Sequence, residues 1–225
     1  MPRRLRHNLQ GTVFHVINRA VRRTKIFHDS ADYIAFLNVA RQGLSRSNVK
    51  VIAYCLMPNH WHFVVICDRV ADLSRLMHWM TGTHAQRWHA THGTRGTGPL
   101  YQGRFIALPV QTETYLIRLC RYVERNPLRA QLVEHAEHWP WSSLVGPRTF
   151  CDPISLAPWP IVRPSNWVEI VNRPETEAEV SAIRLMLRRH HPIGDRPWQE
   201  AVAPFCGLSL RPIGRPTKGK DPRPL

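Results

Sequence analysis

The sequence predicts an α+β fold, a ferredoxin-like antiparallel sheet with helices, continued by a mainly helical C-terminal extension. Three observations predict it. Alternating stretches and stretches of helical spacing follow one another as strand, helix, strand, strand, helix, strand, and then a further helix. That order is the split βαβ pattern. Hydrophobic residues make up 43% of the 225, enough for a packed core.

Each element has its own signal. Residues 11–20, "GTVFHVINRA", alternate and are β-branched, so they read as a strand. Over 30–46, Tyr33, Ile34, Leu37 and Leu44, with Ala40 between them, recur on one side of a helix that Asp29 or Ser30 can cap. Residues 49–57 are a second strand, Pro58-Asn59 a turn, and 60–68 a third strand antiparallel to the second. Leu73, Leu76, Met77 and Met80 give 70–90 helical spacing; 92–100 is a glycine-rich basic loop, and 101–110 a fourth strand. Residues 113–126 form a helix that stops before Pro127, and "WPWSS" (139–143) closes the unit.

The expected organisation is a domain over 1–145, a Pro-rich linker over 146–174, a small helical extension over 175–210 and a basic tail over 211–225, disordered until bound. Thr176 and Glu179 are spaced as a capping box for a helix over 176–190. A short helix over 194–208 is ended by Gly207. The "GRP" at 214–216 resembles a minor-groove-binding arm, a weak signal alone.

Composition narrows the function. Lys and Arg number 31 against 16 acids, a formal charge of +15 and a pI near 10.8. Such an excess attracts polyanions, nucleic acid first, because each neutralised phosphate releases a counterion. An ordinary basic surface is the plain alternative. Five scattered cysteines with no CxxC pair argue against a disulfide framework and for a reducing compartment. The charged N-terminus has no apolar core of a secretory signal, and no stretch approaches a membrane span. A soluble, cytoplasmic, nucleoid-associated protein with no membrane partner is the expectation.

"MPNHWHFVV" holds the most specific chemistry. In a strand, His60 and His62 share a face and lie roughly 6.6 Å apart along the backbone. Two neutral imidazoles so placed suit Zn, Mn or Fe, and tolerate Mg where oxygens complete the shell. Three readings stay open: a metal-free, hydrogen-bonded pair; a Cys2His2 zinc site with Cys55 and Cys67; or a catalytic cation site with open positions. Strand parity puts Cys67 on the face opposite His62 and weakens the second. On the 113–126 helix, Tyr122 and Asn126 are four apart and so project from one side. From the helix alone Tyr122 reads as an ordinary amphipathic aromatic, and Tyr115, one heptad earlier, occupies a similar face.

In combination, "MPNHWHFVV" and "RYVERNPLRAQLV" resemble the IS200/IS605-type single-tyrosine transposases, and more closely their relatives the REP-associated tyrosine transposases, within the wider HUH nuclease group. "VFHVINRAVRRTKIF", "GPLYQGRF" and "WPWSS" extend the resemblance over roughly residues 10–145. It implies the HUH/Y1 fold. It implies His60 and His62 as metal ligands, Asn126 as the third ligand where many transposon-borne members carry glutamine, and Tyr122 as nucleophile. The implied cofactor is a divalent metal, Mg or Mn. The implied substrate is single-stranded DNA with REP-like hairpins, cleaved and rejoined through a 5′-phosphotyrosine. The resemblance leaves monomer and homodimer equally open.

Arg19, Arg22, Arg23, Arg95 and Arg104, with Phe105, are candidate DNA contacts, and Trp79, Trp88 and Tyr101 could stack bases. For each, a solvated charge or core aromatic is the plain alternative. Three rival functions compete with the implied one: a catalytically silent, transposase-derived DNA-binding protein, an RNA-binding or RNA-processing protein using the same sheet, and a structural zinc protein.

Overall fold

A computed structural model describes residues 11–144, 154–208 and 210. The basic tail beyond 210, with its "GRP", lies outside the described residues. Four strands form one antiparallel sheet: β1 (Thr12–Arg19), β2 (Lys50–Met57), β3 (His60–Cys67) and β4 (Ile106–Val110), in the order β2-β3-β1-β4. Helices α1 (Ser30–Leu44) and α2 (Val70–Thr91) fill the two crossovers. This is the ferredoxin-like α+β arrangement that the element order predicts.

The sheet is sandwiched. One face carries Phe14, Val16, Tyr54, Leu56, Trp61 and Phe63 against Phe36 and Leu37 of α1 and Leu73 and Met77 of α2. The other carries Val13, Cys55, Val64 and Leu108 against Leu116, Leu119 and Val123 of α3 (Thr114–Glu124). Both faces are covered, so β2 and β3 are buried along nearly their whole length instead of alternating with solvent. At the start of α1, the Asp29 carboxylate accepts from Ala31 and Asp32 N–H, the cap expected there.

Two boundaries differ from the sequence reading. The fourth strand begins at Ile106, not 101. After Arg19 β1 ends in a 3-10 turn with positive φ at Arg22 and Arg23, and residues 101–105 keep only an isolated bridge, Tyr101 to Ala20. The helix expected over 113–126 ends at Glu124, and a one-turn helix α4 (Asn126–Arg129) follows. Pro127 has no N–H for the Val123 carbonyl, and its ring crowds that turn.

Past residue 153, α5 (Trp167–Asn172) falls inside the range expected as linker. Its Trp167 and Val171 enter the same core as α3. Then come α6 (Glu177–Arg189), with the Thr176–Glu179 capping box, and α7 (Arg196–Val202), which Asp195 caps and which stops short of the range expected to Gly207. Among the described residues no helix is long and apolar enough to cross a membrane.

Candidate active site

His60 and His62 open β3 on the face that α3 covers, their ring centroids 5.0 Å apart. α3 brings Tyr122 to them: its ring stands edge-on to His62 at 6.2 Å between centroids. Tyr115 lies two turns earlier, beside Arg118 and in a cleft lined by Arg121, Glu175 and Met186. The helix thus carries Tyr122, and not Tyr115, to the ring of His62.

The hydrogen bonds decide which nitrogens are bare. Asn59 donates its amide to the Arg23 carbonyl at 3.0 Å, so its Oδ1 faces His60 Nδ1 at 2.6 Å. An amide oxygen only accepts, so His60 Nδ1 carries the proton and Nε2 keeps its lone pair. His62 Nδ1 meets Nε2 of His15 at 2.8 Å, and the two rings stack at 5.1 Å. His62 Nε2 is buried with no hydrogen-bond partner. When His62 Nδ1–H donates to His15, that nitrogen offers a lone pair too.

All three imidazoles are held neutral. Burial pushes His15 and His60 down to about 3, with Arg19 and His15 adding positive potential at His60. His62 is also pushed down, chiefly by burial and then by His60, His15, Arg19 and Arg129. Neutral nitrogen donors, one of them buried and unpaired, fit a divalent cation. Asn126 begins α4 and has a buried Nδ2 without a partner; its Oδ1 accepts from Arg129 at 3.3 Å and retains a second lone pair.

Arg129 was not foreseen from the sequence. Its guanidinium lies over the Tyr122 ring at 4.3 Å and donates to the Tyr122 carbonyl at 3.2 Å. Glu175, far along the chain, holds it with contacts of 2.6 and 3.2 Å and stands 3.6 Å from Arg125. Glu124 is a second such brace. Its buried carboxylate accepts from Ser143 and from the Trp167 indole, both at 2.5 Å, and burial raises its pKa.

Of the candidate DNA contacts, Arg19 pairs across the sheet with His60 and keeps a buried Nε without a partner. Burial, and then Arg23, lower its pKa. Arg22 and Arg23 are exposed in the turn that follows. Arg104 is exposed beside Gly103, whose carbonyl accepts from Asn18; Phe105 is half-buried on the α1/α2 core. Arg95 is exposed in the 92–100 loop. Two proposed base-stackers have other work. Tyr101 is buried, its hydroxyl bonded to Trp61 and His84, and the Trp88 indole donates to the Ile26 carbonyl. The Cys2His2 reading also fails: Cys55 sits opposite His62, but Cys67 belongs to the other face.

The family model for IS200-like transposases matches residues 8–126, just over half of the chain. This chain belongs to the IS200-like transposase family. No curated protein matches it. Among solved structures, the transposase is similar to a REP-associated tyrosine transposase bound to a REP hairpin: 18% identity, TM-score 0.51, covering 64% of this chain and 82% of that one. That likeness is one of fold. A Deinococcus radiodurans R1 protein described as a candidate transposase aligns at 15% identity with a TM-score of 0.38, covering 59% and 91%.

Proposed function

We propose that this transposase is a metal-dependent endonuclease and strand transferase acting on single-stranded DNA next to REP-like hairpins, as a REP-associated tyrosine transposase. The observation that carries the reading is the edge-on approach of Tyr122 to His62, whose outer nitrogen is buried and bare. His60, His62 and Asn126 would hold the cation, Mg or Mn, which when bound supplies Lewis-acid polarisation of a non-bridging phosphate oxygen.

The chain's own residues do the rest. The Tyr122 hydroxyl attacks phosphorus and gives up its proton; the bond to the 3′ oxygen breaks. The products are a 5′-phosphotyrosine and a free 3′-OH, and attack by a 3′-OH reverses the step, so strands are rejoined. A phenol near its reference pKa of about 10 is a weak nucleophile at neutral pH. The Arg129 guanidinium packs over the ring as a cation–π contact and holds the phenol in place for attack. Arg19, with a bare Nε beside His60, suits an incoming phosphate, and exposed Arg22, Arg23 and Arg104 extend the basic surface. That the fold neighbour holds a REP hairpin supports the choice of DNA.

The test is cleavage of a labelled hairpin oligonucleotide with Mg or Mn. Tyr122→Phe, His60→Ala and His62→Ala are expected to lose cutting by at least about a thousandfold while staying folded. Full cutting by Tyr122→Phe would remove Tyr122 as the nucleophile. Hairpin binding without cutting by the wild type would favour the silent DNA-binding protein, and stronger competition by matched RNA would favour the RNA-binding one.

A further inference from the structure

On the other side of the sheet, where the start of α1 meets the end of α2, His28, Asp32 and His92 converge. Their ligand atoms all lie within 4.8 Å of one another. The hydrogen bonds around them leave the inward atoms in an unusual state. His92 Nδ1 is 2.9 Å from the Trp88 carbonyl, which can only accept, so that nitrogen carries the proton. His92 Nε2 therefore turns a lone pair toward Asp32 Oδ1, at 3.3 Å. The other carboxylate oxygen, Oδ2, already accepts the His28 backbone N–H at 2.8 Å. Two acceptors thus face each other unless a cation stands between them or His92 takes a second proton.

The spacing chooses among cations. Two ligands about 2.05 Å from one ion stand roughly 3.3–3.4 Å apart in a tetrahedron, the geometry of zinc. In the octahedron that Mg requires, at 2.0–2.1 Å, the separation is about 2.9 Å. The 3.3 Å between His92 Nε2 and Asp32 Oδ1 matches the tetrahedral edge, and the His28 ligand atom lies within 4.8 Å of both. A histidine that gives its outer N–H to a backbone carbonyl is also the usual outer-shell arrangement of a zinc ligand.

The surroundings are built. The His92 ring stacks on Trp88 at 4.1 Å, and the His28 ring lies 5.4 Å from His92. The Trp88 indole donates to Ile26 at 2.8 Å, and Ile26 and Phe27 donate in turn to the Pro58 carbonyl, so the loop bearing His28 is fixed to α2 and to the β2–β3 turn. Asp32 is buried on α1, and His92 is half-buried at the end of α2.

We infer that His28, Asp32 and His92 form a tetrahedral zinc site, with water in the fourth position, separate from the His60/His62 pair. The ion pins the end of α2 to the start of α1. The basic loop that leaves His92 returns to the sheet where Gln102 N–H donates to the Arg19 carbonyl at 2.9 Å. Zinc thus fixes one root of the segment carrying Arg95.

The full-length chain, freed of metal by chelation, is titrated with zinc against a chromophoric chelator. His28→Ala, at an exposed position, is expected to bind one equivalent fewer than wild type, and Asp32→Asn and His92→Gln to weaken that same equivalent by at least about a hundredfold. The His60→Ala/His62→Ala double variant is expected to keep it. Cobalt in that background is expected to give the intense visible absorption of tetrahedral coordination. Zinc stoichiometry and affinity unchanged in His28→Ala and His92→Gln would mean an Asp32–His92 ion pair only. An octahedral cobalt spectrum would equally overturn the inference. His28→Ala, compared with wild type by circular dichroism, keeps the test decisive if either of the other variants fails to fold.

Discussion

The protonation of the candidate ligands His60 and His62 is governed by neighbouring side chains. Asn59 fixes the proton of His60, and His15 receives or supplies the proton shared with His62. His15→Leu keeps an apolar filling while removing the acceptor for His62 Nδ1–H. It is expected to weaken Mn binding by roughly 10–100-fold, the usual loss for an outer-shell partner, measured by titration of free Mn. Unchanged affinity would mean that His15 only fills space. Neither residue stands out in the sequence. The parity of "TVFHVINR" gives the face of His15 relative to Arg19, but only the β1–β3 register brings it against His62. By contrast His60, His62 and Tyr122 could be picked out, because a strand period and a helix period act within a few residues.

At the scale of elements, the strands and the helices α1, α2 and α3 were legible from periodicity, and the misjudged ends have physical causes. The turn with positive φ at Arg22 and Arg23 accompanies the loss of the first half of β4, which alternation alone cannot register. The docking of the extension was not legible at all, since Glu175 reaches Arg129 across 46 residues and Trp167 reaches Glu124 across 43. Glu175→Ala leaves Arg125 and Arg129 without their shared carboxylate in a largely buried setting. It is expected to cost about 3 kcal/mol in urea unfolding, and to slow cleavage by letting Arg129 leave the Tyr122 ring. Arg173→Ala breaks the exposed Glu169–Arg173 pair and is expected to change stability by under about 0.5 kcal/mol. Equal effects in the two variants would show that the extension does not brace the helix bearing Tyr122.

Across the described residues of the whole molecule, burial pushes down the imidazoles of His15, His60 and His62 at the candidate site and of His84 on the opposite face, the last to about 3 with His92 adding to the effect. In the unfolded chain each protonates near 6.5. Between about 6.5 and 3 the unfolded state therefore binds more protons, and stability must fall as pH falls, by up to about 1.4 kcal/mol per pH unit for each group. Glu124, raised by burial, acts in the opposite sense but is one group against four. The metal-free protein is expected to lose urea stability steadily from pH 6.5 to 5, above the range where its paired carboxylates begin to protonate. A flat profile there would mean that the imidazoles are hydrated or paired with acids. The +15 charge spreads over this frame and orients polyanions without choosing among them; the choice rests with the site.

The most direct measurement is mass spectrometry of the intact chain after incubation with Mn and a hairpin oligonucleotide, followed by peptide mapping. A covalent adduct of the 5′-phosphorylated fragment on Tyr122, missing in Tyr122→Phe, is the expected result. Efficient cutting with no adduct, or with the adduct on Tyr115, would contradict it.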